Sequence, residues 1–520
     1  DKPVNDVATL IRERVAMAKQ TNEGSPNYDK VVPDLNSIRG NLKKAPQKRE
    51  SSEKQSCGGS FESAFDYPLH WCGHTGLQGE ADIEPLFPCL AQTPSALCMT
   101  EEISGLPTRR AALRLLDTVM RMGTPMDQAT ANATKGLSPP DRALAIAIAQ
   151  ETLRWSVDLD HLIDSKTKQP LPDDAKARMV LRLALAQILR LGTPAHAAIA
   201  TALPLVDGGP RRLVHGVLGS LLRAEAALPE LPSLPEAVMM RWHPAWGDEM
   251  VAGAQAALSE PPPLDLALRD TSATQAWAER LGGVSLMAGH VRLPRGTAIE
   301  ELDGYDEGAW WVQDLAASLP ARLLGNGEGK RALDLCAAPG GKTMQLSAAG
   351  FTVTALDNSA RRMDRLMANL ERTQLNAERV NADVMEWKPA QLFDAILLDA
   401  PCSATGTMRR HPDVLQRIDL KAINNLAAIQ SAMLDRAAQW VKPGGMMVFA
   451  TCSLEPHEGE AQAEAFLARH PEYTTLVATA DELPAGVVAN ANGHVRTIPS
   501  MLAEQGGLDG FFVARFLRAD

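Results

Sequence analysis

The C-terminal part of the chain alternates between short apolar runs and longer amphipathic segments, and this alternation restricts the possible folds most strongly. The apolar runs read RALDLC, FTVTALD, FDAILLDAP and GGMMVFATCS, and segments with helical periodicity separate them. Strands that alternate with helices form parallel, doubly wound sheets with right-handed crossovers. Such sheets bind ligands at the carboxyl ends of their strands. We therefore predict an α/β domain over residues 301–520, with a ligand site at that edge of the sheet.

The segment before this domain has the pattern of a helical bundle. Residues 105–228 repeat apolar side chains at steps of three and four, as in TRRAALRLLDTVMRM. Ser138 precedes two prolines at a predicted helix start, and Gly192 follows an apolar helical segment. This periodicity predicts an all-α domain of about six helices. Pro-rich connectors come next, and residues 236–300 have the mixed pattern of a small α+β linking module.

Charge is distributed unevenly along the chain. The formal net charge is −11, yet residues 105–225 hold 16 Lys and Arg against 11 Asp and Glu, a local net charge of +5. A basic domain on an acidic chain has two interpretations, which are local binding of nucleic-acid phosphate and a solvated helical surface. The charge count alone does not choose between them.

Residues 1–98 differ from the rest of the chain, because they are polar, are interrupted by Pro, Gly and Ser, and lack sustained periodicity. We expect an extension that is non-native or disordered, with the native start near Met99. The four cysteines of the extension are Cys57, Cys72, Cys89 and Cys98. They lack the paired Cys-x-x-Cys spacing of structural zinc sites, so zinc is the lesser alternative and we predict no metal.

No uncharged apolar run of about 18 residues suggests a membrane span. The N-terminus also lacks the charged, apolar and small-residue pattern of a secretory signal. We therefore expect a cytoplasmic protein without membrane contact, and we expect a monomer. Because thiols stay reduced in that compartment, cysteines at strand ends are candidates for catalysis rather than for disulfide bonds.

The motif LDLCAAPGGKT, residues 333–343, lies where the first predicted strand turns into a helix. Its end resembles a nucleotide P-loop, but that loop requires a glycine where this chain has Cys336. The dinucleotide pattern G-x-G-x-x-G is absent as well. Gly340 and Gly341 still allow close approach of a ligand to backbone N–H groups. A small adenosine-bearing ligand without a pyrophosphate fits this turn better.

Two acids follow the next strands of the predicted sheet. Asp357 ends the second strand, where an acid can accept hydrogen bonds from both ribose hydroxyls. Asp383 follows the predicted third strand, within reach of an adenine amino group. Each acid alone is equally explained as a helix N-cap or turn residue. Because they occur at successive strand ends beside a glycine turn, we favour a ligand site.

Two cysteines stand directly after apolar strands. Cys402 lies in DAPCSATG, residues 399–406, and Cys452 lies in ATCS, residues 450–453. A free cysteine is often only a small buried apolar residue. Two of them at strand ends, with Asp399 three residues before the first, instead form a candidate catalytic group.

These motifs carry a resemblance to a known family. Residues from about Gly304 to the C-terminus resemble the RNA cytosine-5 methyltransferases, which use S-adenosylmethionine. The matching motifs are VQDLAAS (312–318), DLCAAPGGKT (334–343), DAPCSATG (399–406), KPGGMMVFATCS (442–453) and GLDGFFVARF (507–516). Residues 106–228, most clearly RRLVHGVLGSLLR, resemble the NusB-like RNA-binding domain of the bacterial 16S rRNA members. RWHPAW, residues 241–246, fits the linking region of that family.

The resemblance implies a fold, a reaction and residue roles. The fold is multidomain, with a NusB-like bundle, a linking module and a Rossmann-like methyltransferase domain. Cys452 is implied as the nucleophile that adds to C6 of cytosine, Cys402 as the thiol for product release, and Asp399 as the contact to cytosine N3. DNA cytosine-5 enzymes use the Pro-Cys thiol instead, so swapped roles are the alternative. The implied cofactor-binding residues are Cys336, Ala337, Ala338, Pro339, Gly340, Gly341, Lys342, Asp357, Asp383 and Asp399.

The implied substrate is 16S rRNA, as free RNA or in an assembly intermediate. Two alternatives stay open, which are a tRNA methyltransferase and an RNA-binding assembly factor with an inactive catalytic half. Arg409 and Arg410 are candidates to bind RNA phosphate, with a solvated loop as the simpler interpretation. The chain departs from the family pattern at Gly459, where an Asn is usual, and in PPPLDLALRD, which ends at Asp270. These departures concern substrate positioning rather than the chemistry.

Overall fold

The computed structural model describes residues 103–520. The predicted extension over residues 1–98, with its four cysteines and its zinc alternative, lies outside the described residues. The described part begins with seven helices, where about six were predicted: Leu106–Met122, Met126–Ala133, Pro139–Arg154, Ser156–Asp164, Lys176–Leu189, Ala195–Ala202 and Gly208–Arg223.

Local sequence explains how these helices begin and pack. The Ser138 hydroxyl caps the helix Pro139–Arg154 by accepting a hydrogen bond from the backbone N–H of Asp141 at 3.3 Å. The apolar stripes face one another, and Leu115, Leu183 and Leu218 are fully buried among them. The all-α prediction for this region is confirmed.

The linking module follows as one long helix and a small sheet. The helix Glu236–Ser259 contains Pro244 and kinks at Gly247, whose φ of 76° is left-handed. The small sheet consists of β1 (Leu264–Leu268), β2 (His290–Leu293) and β3 (Trp310–Val312), in the order β2-β1-β3 with antiparallel pairs. The helix Thr274–Leu281 packs beside it. The sheet thus ends at Val312 in β3, beyond residue 300, where the sequence suggested a boundary.

The C-terminal region contains a large sheet with helices on both faces. Its strands are β4 (Arg331–Leu335), β5 (Thr352–Asp357), β6 (Glu378–Asn381), β7 (Phe393–Asp399), β8 (Val441–Thr451), β9 (Tyr473–Thr475), β10 (Val495–Thr497) and β11 (Phe511–Arg518). Its helices are Leu315–Arg322, Gly341–Ala348, Ala360–Thr373, Val414–Arg417, Leu420–Ala438 and Glu460–Arg469. The strand order is β10-β11-β8-β7-β4-β5-β6, and β9 pairs with β11.

The predicted parallel sheet is correct for β4 to β8, which pair in parallel. It is wrong for the last strands, because β11 runs antiparallel to β8, β9 and β10. These strands cover what would otherwise be an open edge at β8. The arrangement remains an α/β Rossmann-like methyltransferase fold, as predicted. Since β4, β7 and β8 are neighbours, the chain segments that follow them meet at one edge of the sheet.

Candidate active site

The glycine turn after β4 forms one wall of the site. Cys336 follows the strand with a left-handed φ of 61°, and Gly340 has a φ of 106° just before the helix Gly341–Ala348. A Cβ atom at Gly340 would lie 2.9 Å from the Leu366 side chain. Both the left-handed backbone and the packing therefore require glycine there. The turn directs the N-terminal end of the helix toward the strand ends.

A cavity of about 260 Å³ lies beside this turn. Of the predicted cofactor-binding residues, seven line it: Cys336, Ala337, Ala338, Pro339, Gly341, Lys342 and Asp399. Cys452 lines it too, together with Arg410 and Phe511. The predicted residues outside this lining are Gly340, Asp357 and Asp383. The glycine turn and the Cys452 thiol thus line one cavity, whereas Asp357 and Asp383 are outside its lining.

Asp334 is a cavity residue that the sequence analysis did not select. Its Oδ2 accepts a hydrogen bond from the Thr343 hydroxyl at 2.5 Å, while its buried Oδ1 has no hydrogen-bond partner within residues 103–520. Burial raises the pKa of Asp334 to about 7. An acid in the middle of the apolar strand LDL was the sequence feature that could have revealed it, because buried strands rarely contain one without a function.

Lys342 joins the turn to the strand end that precedes Cys402. Its Nζ lies 2.7 Å from Oδ2 of Asp399 and 5.2 Å from the centre of the Phe511 ring. Burial lowers the pKa of Lys342, but Asp399 and the neighbouring Cys452 outweigh burial and raise it. The ammonium group therefore stays charged beside the cavity. The Asp399 side chain remains 30% exposed and accessible to a ligand.

Asp357 and Asp383 have different surroundings. Asp357 ends β5 and is buried, where its carboxylate accepts hydrogen bonds from the Ala338 N–H at 3.3 Å and from Arg362 at 2.8 Å. It therefore supports the glycine turn directly, and a carboxylate has further lone pairs for a ligand. Asp383 is exposed just after β6, and its carboxylate accepts the N–H of Met385 at 2.8 Å. A role for either acid toward a cofactor stays a prediction.

The two cysteines of the predicted pair lie together. Cys402 follows β7 and Cys452 follows the neighbouring β8, and their sulfur atoms are 3.4 Å apart. The N–H of Gly406 donates to the carbonyl of Cys452 at 3.0 Å, so the two loops are also joined through the backbone. A Cβ atom at Gly406 would lie 1.9 Å from the Gly510 carbonyl oxygen, which explains the glycine. The thiols of the described residues, Cys336 included, are free of disulfide bonds.

The electrostatic surroundings distinguish the thiols. The hydrogen bond to Cys452 raises the pKa of Cys402 well above its usual range, and burial and the charge of Glu458 raise it further. Burial also raises the pKa of Cys336 strongly, which makes that thiol a poor nucleophile. Cys452 lines the cavity beside two cationic side chains, Lys342 and Arg410.

The two arginines after the Cys402 motif are not a solvated loop. Arg409 is 3% exposed and is bound by the buried carboxylates of Asp314 at 2.6 Å and Asp509 at 2.8 Å. It is therefore unavailable to RNA, and the suggested phosphate contact is wrong for this residue. Arg410 also pairs with Asp509, but it is 35% exposed and lines the cavity. The sequence interpretation failed because the partner acids lie about 100 residues away in the chain.

Side chains from several segments contact the residues that follow Cys452. Glu458 accepts hydrogen bonds from the residues that follow both cysteines. The RWHPAW segment contributes the Trp246 indole N–H, which donates to the Leu454 carbonyl at 2.8 Å. Gly459, one of the departures from the family pattern, leaves space for Arg496, since a Cβ atom there would lie 2.4 Å from its guanidinium. Asp270, the other departure, caps a short turn through Ser272 and lies outside the site.

Comparison with known proteins first defines a class. Residues 321–517 match the family described as 16S rRNA methyltransferase RsmB/F, and residues 106–223 match the NusB family. The fold and the glycine-turn cavity agree with a methyltransferase, and S-adenosylmethionine is its cofactor. The solved structure of PH0851 has the same fold, with a TM-score of 0.62 and 21% identity over 78% of this chain and 98% of that chain.

Two relatives identify the family within this class. Ribosomal RNA small subunit methyltransferase B of Pseudomonas syringae pv. tomato is 34% identical over 440 residues, or 79% of this chain and 96% of the relative. The protein with the same description from Erwinia tasmaniensis is 31% identical over 441 residues, or 79% and 98%. The chain belongs to the RsmB/F family of 16S rRNA methyltransferases and is an S-adenosylmethionine-dependent rRNA methyltransferase.

The residues of the cavity fit this cofactor. Asp334 and Asp399 both line the cavity. Within residues 103–520 one carboxyl oxygen of Asp334 has no hydrogen-bond partner, as expected for an acid that meets a cationic ligand group. The turn at Gly340 and Gly341 leaves room for close approach to backbone N–H groups. Within residues 103–520 no helix is long and apolar enough to cross a membrane. The same part of the chain holds no cluster of three or more His, Cys, Asp and Glu side chains suited to a metal ion.

Proposed function

We propose that this enzyme methylates carbon 5 of a cytosine in 16S rRNA through a covalent bond between Cys452 and cytosine C6. Carbon 5 is a poor nucleophile until a thiolate adds to C6 and moves the electron pair of the 5,6 double bond to C5. The bound cofactor supplies a methyl group on a sulfonium, which C5 accepts as the S–CH₃ bond breaks. Transfer of the C5 proton to a water molecule then restores the 5,6 double bond, and the bond between C6 and sulfur breaks to release the Cys452 thiolate.

The contact between the two thiols is the observation that carries this proposal. The sulfur atoms are 3.4 Å apart, and Cys452 lines the cofactor cavity. Lys342 and Arg410 line the same cavity as Cys452 and bring positive charge to it. Cys402 has a strongly raised pKa and stays protonated beside it, because its hydrogen bond to Cys452, its burial and Glu458 all disfavour its thiolate. These surroundings support Cys452 as the nucleophile and Cys402 as the thiol that assists release.

Asp399 is the proposed contact to cytosine N3. It ends β7, three residues before Cys402, and Lys342 holds one of its oxygens at 2.7 Å. N3 takes up a proton as the thiolate adds to C6, and a carboxylate at this place accepts a hydrogen bond from the resulting N3–H and stabilises it. The target cytosine has to leave its stack to reach this edge of the sheet.

The helical domain is the proposed RNA-binding part. A cavity of about 460 Å³ on its surface is lined by four basic residues, Arg110, Arg114, Arg121 and Lys176, and by two acidic ones, Asp117 and Asp207. Arg121 pairs with Asp117 at 2.9 Å, which leaves a net positive lining. Such a lining suits phosphate groups of RNA.

The relatives' printed names support 16S rRNA rather than tRNA as the substrate, and the match to the NusB family supports an RNA-binding front domain. A cytoplasmic location follows from this substrate, because rRNA is assembled there in bacteria. The monomeric state stays a prediction.

Variants of the two cysteines test the mechanism. Cys452→Ala is expected to abolish methyl transfer and to form no covalent RNA complex. Cys402→Ala is expected to methylate once and to release RNA slowly, so an enzyme–RNA adduct accumulates that survives denaturing electrophoresis and disappears in the double variant. An adduct trapped by Cys452→Ala instead would reverse the roles. Activity in both variants without any adduct would refute covalent catalysis.

Radiolabelled methyl transfer tests the substrate. Deproteinised 16S rRNA, assembly intermediates and tRNA are offered separately, and the labelled nucleotide is identified after digestion. We expect 5-methylcytidine in 16S rRNA. Label in tRNA alone, or on another atom of the base, would refute this part of the proposal, and no transfer to any RNA would favour the non-catalytic assembly factor.

A further inference from the structure

Glu458 is a buried acid outside the cavity, and its hydrogen bonds come from both cysteine loops. Its carboxyl group accepts from the Ser403 N–H at 2.9 Å, from the Ser403 hydroxyl and from the Ser453 hydroxyl at 2.6 Å. Ser403 directly follows Cys402, and Ser453 directly follows Cys452. Glu458 itself is 0% exposed. One carboxyl group therefore connects the two residues next to the thiols.

A third residue, Gln430, also donates a hydrogen bond to the Glu458 carboxyl group. The Gln430 amide donates to Glu458 at 3.1 Å and to the Pro401 carbonyl at 2.9 Å, so it holds the loop on both sides of Cys402. Gln430 is fully buried as well. A buried carboxyl group is tolerated only when such donors satisfy it, and the donors in turn lose their partner if it is removed. The group is thus a geometric constraint on both loops.

The position of Glu458 excludes direct participation in the reaction. It lies outside the cofactor cavity, and protein donors occupy both of its oxygens. The Thr451 hydroxyl also donates to its backbone carbonyl at 3.0 Å, which ties it to the end of β8. An acid that is satisfied in this way cannot exchange protons with a base in the cavity. Glu458 acts on the thiols through the loops that it holds, and its charge also raises the pKa of Cys402.

We propose that Glu458 is a positioning residue that holds the Cys402 and Cys452 loops in the register needed for the two thiols to act on the same cytosine. This inference rests on the proposed use of the two thiols. Without the carboxyl group, the backbone bond between Gly406 and Cys452 still joins the loops, but Ser403 and Ser453 lose their common partner. The contact between the sulfur atoms then becomes one of several arrangements.

The effect on methylation is measured with Glu458→Gln and Ser453→Ala, and with Glu464→Gln as the matched control. Glu464 is exposed on the helix Glu460–Arg469, so its variant makes the same chemical change without touching the loops. We expect kcat to fall about 10- to 100-fold in Glu458→Gln and less in Ser453→Ala, since hydrogen bonds to a charged group are lost. The KM for the cofactor is expected to stay unchanged.

A second measurement reports the placement of the thiols without any activity. The proteins are equilibrated in buffers of reduced and oxidised glutathione, which takes up the two electrons and two protons released when Cys402 and Cys452 form a disulfide. The fraction of this disulfide is read by peptide mass spectrometry. We expect its equilibrium constant to fall about tenfold in Glu458→Gln, because the effective concentration of one thiol at the other falls. Ser453→Ala changes no charge and is also expected to lower the equilibrium constant of this disulfide.

The outcomes separate this inference from the proposed function. Unchanged kcat and unchanged disulfide equilibrium in folded Glu458→Gln would overturn it, and so would lower methylation with an unchanged disulfide equilibrium. A lower disulfide equilibrium with full methylation would show that the arrangement is irrelevant to the reaction and would equally overturn it. If Glu458→Gln does not fold, as judged by thermal unfolding, Ser453→Ala carries the test. The proposed function fails on a different result, which is methylation by Cys452→Ala.

Discussion

Replacing Arg409 is expected to destabilise the protein through a buried cluster of charges. Its guanidinium donates to Asp314 at 2.6 Å, to Asp509 at 2.8 Å and to the Gly506 carbonyl at 2.7 Å. The side chains of Arg409, Asp314 and Asp509 are 3%, 2% and 0% exposed. Arg410, which is 35% exposed, reaches only Asp509. Two buried carboxylates therefore depend mainly on one buried cation.

The expected loss of unfolding free energy follows from the dependence of these carboxylates on Arg409. In Arg409→Met, Asp314 keeps no cation in direct contact, and removing one partner of a buried ion pair costs roughly 3–5 kcal/mol. Burial and the neighbouring Asp509 already raise the pKa of Asp314, so it takes up a proton readily and limits the loss. We therefore expect Arg409→Met to lower the free energy of unfolding by about 3 kcal/mol near neutral pH, which is the lower end of this range. Because the variant raises this folded pKa further, its loss of stability relative to the wild type grows as the pH rises above the already raised pKa of Asp314 in the wild type.

Urea unfolding of the wild type and Arg409→Met at pH 5 and pH 8 measures the loss. A double variant with Asp314→Asn is the control, because asparagine can still accept the Ala316 N–H, which the Asp314 carboxylate accepts at 2.9 Å, while removing the charge. The double variant is expected to recover at least about 1 kcal/mol of the lost free energy of unfolding. A loss below about 1 kcal/mol at pH 8, or no dependence on pH, would refute the argument. A folded Arg409→Met with a smaller salt dependence of RNA binding would return Arg409 to the phosphate role.

Two further predictions concern ligand binding. Asp357→Ala is expected to weaken S-adenosylmethionine binding by about 1.5–3 kcal/mol for each charge-assisted hydrogen bond removed, and unchanged affinity in calorimetry would remove Asp357 from the site. Arg114→Glu combined with Lys176→Glu is expected to weaken RNA binding and to lower its salt slope by about 1 for each phosphate group that is no longer bound, without changing cofactor affinity. The control Arg142→Glu alters an exposed residue of a neighbouring helix, and an equal effect there would show that the cavity is not the binding site.

The alternating pattern of the C-terminal sequence was sufficient to predict the strands that matter for the site. The sequence placed Cys402 and Cys452 at the ends of two predicted strands, and the structure shows that these strands, β7 and β8, are neighbours, so the two thiols meet. Hydrophobic patterning cannot show the direction of the last strand, because β11 is apolar whichever way it pairs. The antiparallel strands were missed for this reason.

Buried charges could not be predicted from local sequence. Arg409 lies in GTMRRHPD, which has the composition of a solvated loop, and Glu458 lies in EPHEGE, which reads as an acidic helix start. Each is buried because its partners arrive from elsewhere in the chain, such as Ser403, 55 residues before Glu458. Only the tertiary fold brings such partners together. Asp334 differs, because its place within the apolar strand LDL already indicates a buried acid, although its role depends on the cavity beside it.

Buried hydrogen bonds join the helical domain to the segment that follows the Cys402 motif. Arg154, at the end of the helix Pro139–Arg154, is 2% exposed and donates to the Arg409 carbonyl at 2.7 Å and to the Leu258 carbonyl at 2.9 Å. Gln416 donates to Ser156 at 2.7 Å a few residues further along. The helical domain is thus bound to the segment that begins just after the Cys402 motif. The span between the proposed RNA-binding cavity and the thiols is therefore set by packing rather than by a flexible linker. Selection of one cytosine within a folded RNA requires such a fixed span, because a phosphate contact specifies a base only when the distance between them cannot vary.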